Sequence, residues 1–579
     1  MKIFISILFL TLTIAFTINN YVHCKTTHAV LTGKVEINLS NEMNLDNTVI
    51  SIAKDGTFKY VLDLEKSTFF NLKYEDKKAE LFISPGDSIN IYFNAKDFNP
   101  TLNITGNNTD LNMFLKSIGE MKTKSFQYIE ENWKSIFARD VKSFTTIIDS
   151  IKHSHLNRLD EFLKNKSNID KWFAKKNRAE ITFDIDLIKL IYPRLFKSST
   201  GKLAQVDTNY FENITKDSYY DPDFIQVGSF KEYIDTYIEI LAAGKYKYDD
   251  YYQPNVNLKG ISRYKAITGL KANKEITEFL LDRFFDAYIG NYGIRGLESV
   301  FAEFAKDYPN DMLKEKVLQA YNKKIEERKE PSEIRIYKRI NDIELEAHIF
   351  YPPGFKKEDK RPAFLFFHGG GWSTGMPEWG YYDCKRYSSK GMVSITFEYR
   401  LMDIHGVRIV DCVKDAKSAL YWVRTHAGEL GIDTGKIVVS GFSAGAHLAL
   451  CTALLNEYED PNNDPAISCK PNALILGSAS YSTSDWFNSN SGTNPESISP
   501  FHQLKKNMVP TLMFHGKYDE LVSYEKQFVP FIEKMKSLNN KFTYHTFDTM
   551  GHFFFRDPKN AEISTKMTDE FLVSLGYIK

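Results

Sequence analysis

The run Gly441-Phe442-Ser443-Ala444-Gly445 sets a serine between two glycines. It follows the apolar stretch Lys436–Ser440 and opens a segment rich in Ala and Leu. A Gly-x-Ser-x-Gly turn between a strand and a helix is so tight that side chains at its outer positions would collide. The turn lifts the serine Oγ above the sheet edge, and the helix N-terminus that follows favours negative charge developing nearby. The chemistry this prepares is nucleophilic attack on an acyl carbon. That attack needs a base, and His552, in Met550-Gly551-His552-Phe553, is the candidate. Imidazole is neutral near pH 7 yet accepts a proton. A further group must hold the base in one tautomer and stabilise its cation, which points to Asp519 in His515-Gly516-Lys517-Tyr518-Asp519, with Glu520 as competitor. The tetrahedral oxygen needs amide donors. The loop His368-Gly369-Gly370-Gly371-Trp372 brings backbone close with no Cβ in the way, so Gly370, Gly371 and Ala444 are the expected oxyanion-hole donors.

Other polar residues near these motifs carry quieter expectations. His368 orients the glycine loop, His447 packs behind the serine one turn into its helix, and His515 is structural. Trp372, Phe442 and Phe553-Phe554-Phe555 stand beside the reactive residues in sequence. They are expected to narrow the acyl side of the pocket and to favour short acyl groups. The cysteines Cys24, Cys384, Cys412, Cys451 and Cys469 form no Cys-x-x-Cys pair, which argues against a zinc or dithiol site. Cys412 and Cys451 fall in helical patterns and read as small core residues. The chemistry requires no metal and no cofactor. Acidic and basic residues balance at 74 each, and no Lys/Arg block is present, so a nucleic-acid partner is not expected.

At 579 residues the chain is too long for one core. Met1-Lys2 followed by the apolar Ile3–Ile18 reads as a signal peptide, residues 1–24, and implies a secreted or periplasmic protein; lipidation at Cys24 and an uncleaved anchor are the alternatives. Residues 25–107 alternate with period two. Leu31, Gly33, Val35, Ile37 and Leu39 share one face, and Phe58, Tyr60, Leu62 and Leu64 follow an Asp55-Gly56 turn. Short alternating strands split by turns predict an antiparallel β-sandwich. Residues 108–328 switch to helical periodicity, with breaks near Ser198–Gly201 and Asp249–Pro254, and Lys323–Pro331 reads as a charged linker. From residue 329 to 579, a hairpin-like pair gives way to buried apolar strands such as Ala363–Phe367 and Met392–Phe397, alternating with helices. That pattern predicts a doubly wound, mostly parallel sheet. A fragment from about Lys323 onward is expected to fold and act alone.

Two resemblances add to this. The Leu-x-Gly-x-Val start, the Asp-Gly-x-Phe turn and the Pro-Gly-Asp-Ser turn resemble the β-domain ahead of thioredoxin-like domains in Bacteroidetes envelope proteins. No Cys-x-x-Cys domain follows, so redox chemistry is not implied. From Ser332 onward the order of strands and helices resembles the α/β-hydrolase fold. The His-Gly-Gly-Gly-Trp loop, Glu398-Tyr399-Arg400-Leu401 and Ser443-Ala444-Gly445-Ala446-His447-Leu448-Ala449 resemble the esterase/lipase group near hormone-sensitive lipase and the feruloyl and acetyl xylan esterases. The resemblance implies a serine carboxylesterase acting on a small-molecule or carbohydrate ester, in possible association with the cell envelope. The competing readings are a prolyl-oligopeptidase-type peptidase, which would need a β-propeller, and an envelope binding protein whose hydrolase domain is spent. The oligomeric state is not legible.

Overall fold

Phe364-Leu365-Phe366-Phe367, Ile437-Val438-Val439 and Ala473-Leu474-Ile475-Leu476 are apolar at every position, so both faces of their sheet must be covered. In the computed structural model they are. The structure describes residues 27–579 except 165, 167–168, 208, 216–219, 244–257, 309–310 and 484–490. The expected signal segment, with Cys24, and the expected break at Asp249–Pro254 lie outside the described residues. The chain divides into two compact units, Met1–Tyr237 and Ile238–Lys579.

The first unit opens with eight strands: β1 (Thr27–Glu36), β2 (Glu42–Leu45), β3 (Thr48–Ser51), β4 (Thr57–Leu64), β5 (Thr68–Tyr74), β6 (Lys77–Ile83), β7 (Ser88–Asn94) and β8 (Asn103–Gly106). They form two four-stranded sheets, ordered β4-β1-β7-β8 and β3-β2-β5-β6. Leu31 and Ile91 from one sheet and Leu45 and Leu72 from the other share one core. Two findings differ from expectation. β1 pairs with β7 in parallel, because the chain crosses to the second sheet and back between β4 and β7. Ile37 and Leu39 are exposed, because β1 ends at Glu36 and Ile37 takes a φ of 52°. Long helices follow, among them Thr109–Glu131, Val141–Lys164 and Lys171–Thr200. The last starts where the Asp170 side chain accepts from the Trp172 amide and stops at left-handed Gly201.

The second unit contains helices Leu258–Gly269, Lys274–Tyr292, Glu298–Asp307 and Met312–Glu327 ahead of its sheet. Residues 323–327, expected as linker, are the end of the last of these. Lys324 reaches Glu327 at 2.5 Å on one helix face, a spacing that supports the final turn. Arg328, just beyond, pairs with Glu346 at 2.7 Å and Glu378 at 3.4 Å.

Then come β9 (Glu333–Ile340), β10 (Ile343–Phe350), β11 (Arg361–Phe367), β12 (Val393–Phe397), β13 (Ile432–Phe442), β14 (Ala473–Gly477), β15 (Thr511–Gly516) and β16 (Phe542–Phe547). Their order in the sheet is β16-β15-β14-β13-β11-β12-β10-β9. β9 and β10 join antiparallel, and the rest run parallel. Leu365, Val439 and Leu476 pack on one face with helices Ile409–Thr425 and Ala444–Leu454. Phe364, Val438, Ile475 and Phe514 pack on the other with helices Tyr381–Ser389 and Pro558–Ser574. Each such side chain contributes roughly 2 kcal/mol when fully buried. The sheet is therefore a rigid platform, and the loops at the carboxyl ends of β11, β13, β15 and β16 carry the candidate residues.

Candidate active site

Ser443 sits between β13 and helix Ala444–Leu454 with φ 54° and ψ −119°. That region is costly for a residue with a Cβ and persists only when its surroundings enforce it. The two glycines show why. A Cβ on Gly441 would lie 2.4 Å from the Gly445 carbonyl carbon, and one on Gly445 would lie 2.0 Å from the Phe367 oxygen. Only glycine at both places lets the chain reverse there and lets the helix start against β11. The Ser443 amide is anchored to the Gly477 carbonyl at 2.8 Å.

His552 and Asp519 come from the loops after β16 and β15, and the fold joins them. His552 Nδ1 meets Asp519 Oδ2 at 2.7 Å, with both residues buried. Asp519 Oδ1 accepts from the Val522 amide at 2.7 Å and the Leu521 amide at 2.9 Å, so the carboxylate is held from both ends. Glu520 is exposed, and it is Asp519 that the fold sets against the His552 ring. The His552 ring lies edge-on to Phe442, the neighbour of Ser443, with centroids 5.1 Å apart. His515 Nε2 meets the Val522 carbonyl at 2.9 Å and lies 3.4 Å from Asp519 Oδ2. Burial holds the His515 ring below the usual histidine range, so it brings no second cation to the carboxylate.

The glycine loop turns after β11. Gly370 has φ 104°, and its carbonyl accepts from the amides of Ser373 and Thr374 at 3.1 and 2.9 Å. A Cβ on Gly370 would lie 2.2 Å from the Thr374 oxygen. Among the described residues, the amides of Gly370, Gly371 and Ala444 donate to no protein carbonyl. His368 is fully buried, and its Nδ1 meets the Gly369 carbonyl at 2.8 Å. Burial pulls its pKa down to about 4, so it stays neutral.

Two expectations about side chains change. Trp372 does not border the acyl side. It is 1% exposed and packs edge-on against His447, centroids 5.0 Å apart, behind the loop. Phe554 is core, while Phe553 and Phe555 are 40% and 42% exposed and ring Phe442. The aromatic surface at the site is thus Phe442, Phe553 and Phe555. Tyr399, in the segment after β12, also supports the site. Tyr399 is fully buried, and its hydroxyl donates to the His368 carbonyl at 2.9 Å, steadying the loop from below. A tyrosine two residues past an apolar strand has a hydroxyl that must find a partner when buried.

The family model BD-FAE matches residues 348–473, which hold the glycine loop and the Ser443 turn. The C-terminal domain is an α/β-hydrolase of the esterase/lipase family. Among curated relatives, a probable isoprenylcysteine alpha-carbonyl methylesterase of Arabidopsis thaliana is 26% identical over 37% of this chain and 51% of its own length. An endo-1,4-beta-xylanase B of Butyrivibrio fibrisolvens is 26% identical over 33% of this chain and 32% of its own. The chain thus spans about half or less of the length of these relatives. Among solved structures, apo esterase 2 of Thermogutta terrifontis is 37% identical over 43% of this chain and 96% of that one, with a TM-score of 0.42.

Proposed function

We propose that this protein is a serine carboxylesterase that cleaves short acyl esters, with Ser443 as nucleophile, His552 as general base and acid, and Asp519 as the residue that orients the base. The bond from His552 Nδ1 to Asp519 is the observation that carries the reading. It makes Nδ1 the protonated nitrogen and leaves Nε2 as the basic one. Ser443 Oγ attacks the ester carbonyl carbon while His552 Nε2 takes its proton. The carbonyl π pair moves onto oxygen, where the amides of Gly370, Gly371 and Ala444 receive it, each donor contributing about 3 kcal/mol to the transition state. The intermediate collapses, the C–O bond to the alcohol breaks, and His552 protonates the leaving oxygen. Water then repeats the sequence on the acyl-enzyme and frees the acid.

Carbohydrate esters are the proposed substrates, and three points support that class. The esterase/lipase relatives include a xylanase by name. Phe553, beside His552, and Phe555, against Phe442, offer solvent-facing rings on which an alcohol with an apolar face can rest. The apolar leader expected at residues 1–24 would place the enzyme outside the cytoplasm or in the envelope.

The test is kcat/KM across p-nitrophenyl acetate, butyrate, octanoate and palmitate and across acetylated sugars, with fluorophosphonate labelling of Ser443. A preference for acetyl, and label on Ser443, are expected. A rate that climbs steadily to octanoate moves the reading toward a lipase. Labelling elsewhere, or none, overturns it.

A further inference from the structure

The glycine loop is gripped at three places, and the third grip comes from outside the sheet. Tyr399 donates to the His368 carbonyl at 2.9 Å. The Met402 amide donates to the Trp372 carbonyl at 2.8 Å. The Gly375 amide, at the far end of the loop, donates to the Asn291 carbonyl at 2.7 Å. Asn291 belongs to the last turn of helix Lys274–Tyr292, well ahead of β9 in the chain. The carbonyls of a helix's last turn have no partner within the helix and are open to an outside donor.

The same short segment also ties down the residues that make the other two grips. Tyr292 donates to Asp403 Oδ2 at 2.8 Å. Arg295 forks, with one nitrogen on the Glu398 carboxylate and the other on the Glu344 carbonyl at 3.2 Å. Glu398 and Asp403 bracket the stretch that carries Tyr399 and Met402. The helix end thus contacts both the loop and its supports. Gly293, at φ 74° and ψ −149°, a conformation that favours glycine, ends the helix and turns the chain between Tyr292 and Arg295, both of which reach the segment after β12.

We propose that Asn291–Arg295 is a positioning segment for the oxyanion hole, so that the helices ahead of the sheet set the rate of the hydrolase chemistry. This rests on the serine-esterase reading. The reason is geometric. Amide donors stabilise the tetrahedral oxygen only when aimed at where it forms, and a displacement of an ångström or less costs much of the effect. Tyr292 and Arg295 touch no reacting atom, so they act through the loop. On this inference a fragment from about Lys323, which lacks the whole segment, is expected to turn over ester more slowly than the full chain.

The test uses the full chain and compares wild type with Tyr292→Phe, Arg295→Met and the conservative Arg295→Lys. Readouts are kcat and KM on p-nitrophenyl acetate, Ki for a trifluoromethyl ketone whose hydrate-like adduct carries the oxyanion, and thermal melting. Active-site titration with a fluorophosphonate corrects for inactive molecules. Arg295→Met is expected to lower kcat roughly tenfold and Tyr292→Phe several-fold, with KM within about twofold. Ki for the ketone should rise in step with the loss of kcat, and Arg295→Lys should recover most of it. A merely structural role would lower the titrated fraction but leave kcat per titrated site and Ki unchanged, and that result overturns the proposal. If Arg295→Met does not fold, Tyr292→Phe decides, since it deletes one hydroxyl only. Unchanged kcat and Ki there also overturn the proposal. A wild-type chain that turns over no ester at all defeats the esterase reading itself, a different outcome from active variants.

Discussion

The helices of the first unit and the candidate site of the second hold buried charge in different ways. In the first, Lys176, 4% exposed, lies between Glu80 and Glu180. Lys122 meets Asp184 at 2.5 Å, and Lys152 meets Asp186 at 2.7 Å. Burial pushes the Glu80 and Asp184 carboxyls up, and the facing lysines pull them back. These charges satisfy one another and register one element against the next. In the second unit the polar groups of the site are held on one side only. Asp519 is occupied at both oxygens, and His552 is tied at Nδ1, while Ser443 and the loop amides face the carboxyl edge of the sheet. A closed network is structure, and a network with one side left open can meet a substrate.

The sharpest way to break that contrast is at Ser443. Ser443→Ala should lower kcat roughly 10⁶-fold while leaving thermal melting and the first unit untouched. Substantial turnover in this variant would mean that the open side of the network is not where the reaction happens. Next in size is the pair behind it. His552→Ala should cost about as much as the serine change, and Asp519→Asn roughly 10⁴-fold, because the residues act as a unit. Glu520→Gln, on an exposed residue, should stay within about twofold. The reverse ranking of Asp519 and Glu520 would reassign the acid.

Acid should separate open from closed polarity through stability. Burial holds His368, His405 and His447, all in the second unit, down to about 4. In the unfolded chain these rings take a proton near pH 6.5, so between about pH 6.5 and 4 the unfolded state binds more protons and stability falls as pH falls. Each ring contributes up to about 3 kcal/mol to that loss, while the Glu398 and Asp383 carboxyls, raised by burial to about 7 and about 6, oppose part of it, so a net fall smaller than the sum of the three rings is expected. Denaturant titrations between about pH 7.5 and 4.5 check it, and a flat unfolding free energy across that window contradicts it.

The smallest effect on chemistry is expected in the first unit. Lys176→Met strands Glu80 and Glu180 without their cation and should cost about 3 kcal/mol of that unit's stability. Ester turnover should stay within about twofold. A large fall in kcat at full folding would tie the closed network to the reaction after all.

How far the molecule could be read in advance follows the range of the forces involved. The serine turn was legible because its constraint is local. Gly441 and Gly445 exclude a Cβ within a few residues of Ser443, and no distant contact can relax that. Continuous apolar runs such as Phe364–Phe367 announced strands buried on both faces, and the positions of Asp519 and His552 after their strands followed. The exposure of Ile37 was not legible, because alternation alone does not say where pairing stops. Trp372 was misplaced for a related reason. Adjacency to the glycines in the chain says nothing about direction, and its φ of 58° turns it behind the loop.

Sequence by itself determined which groups could react and the backbone shape that presents the nucleophile, since both depend on residue chemistry and on sterics over a few positions. Tertiary structure alone decided what holds those groups still. The parallel pairing of β1 with β7, the closure of Tyr399 onto the His368 carbonyl, and the reach of Asn291 to Gly375 each join residues far apart in the chain. Such contacts depend on how whole elements pack, and the Asn291 contact is made by a backbone carbonyl that every residue type possesses.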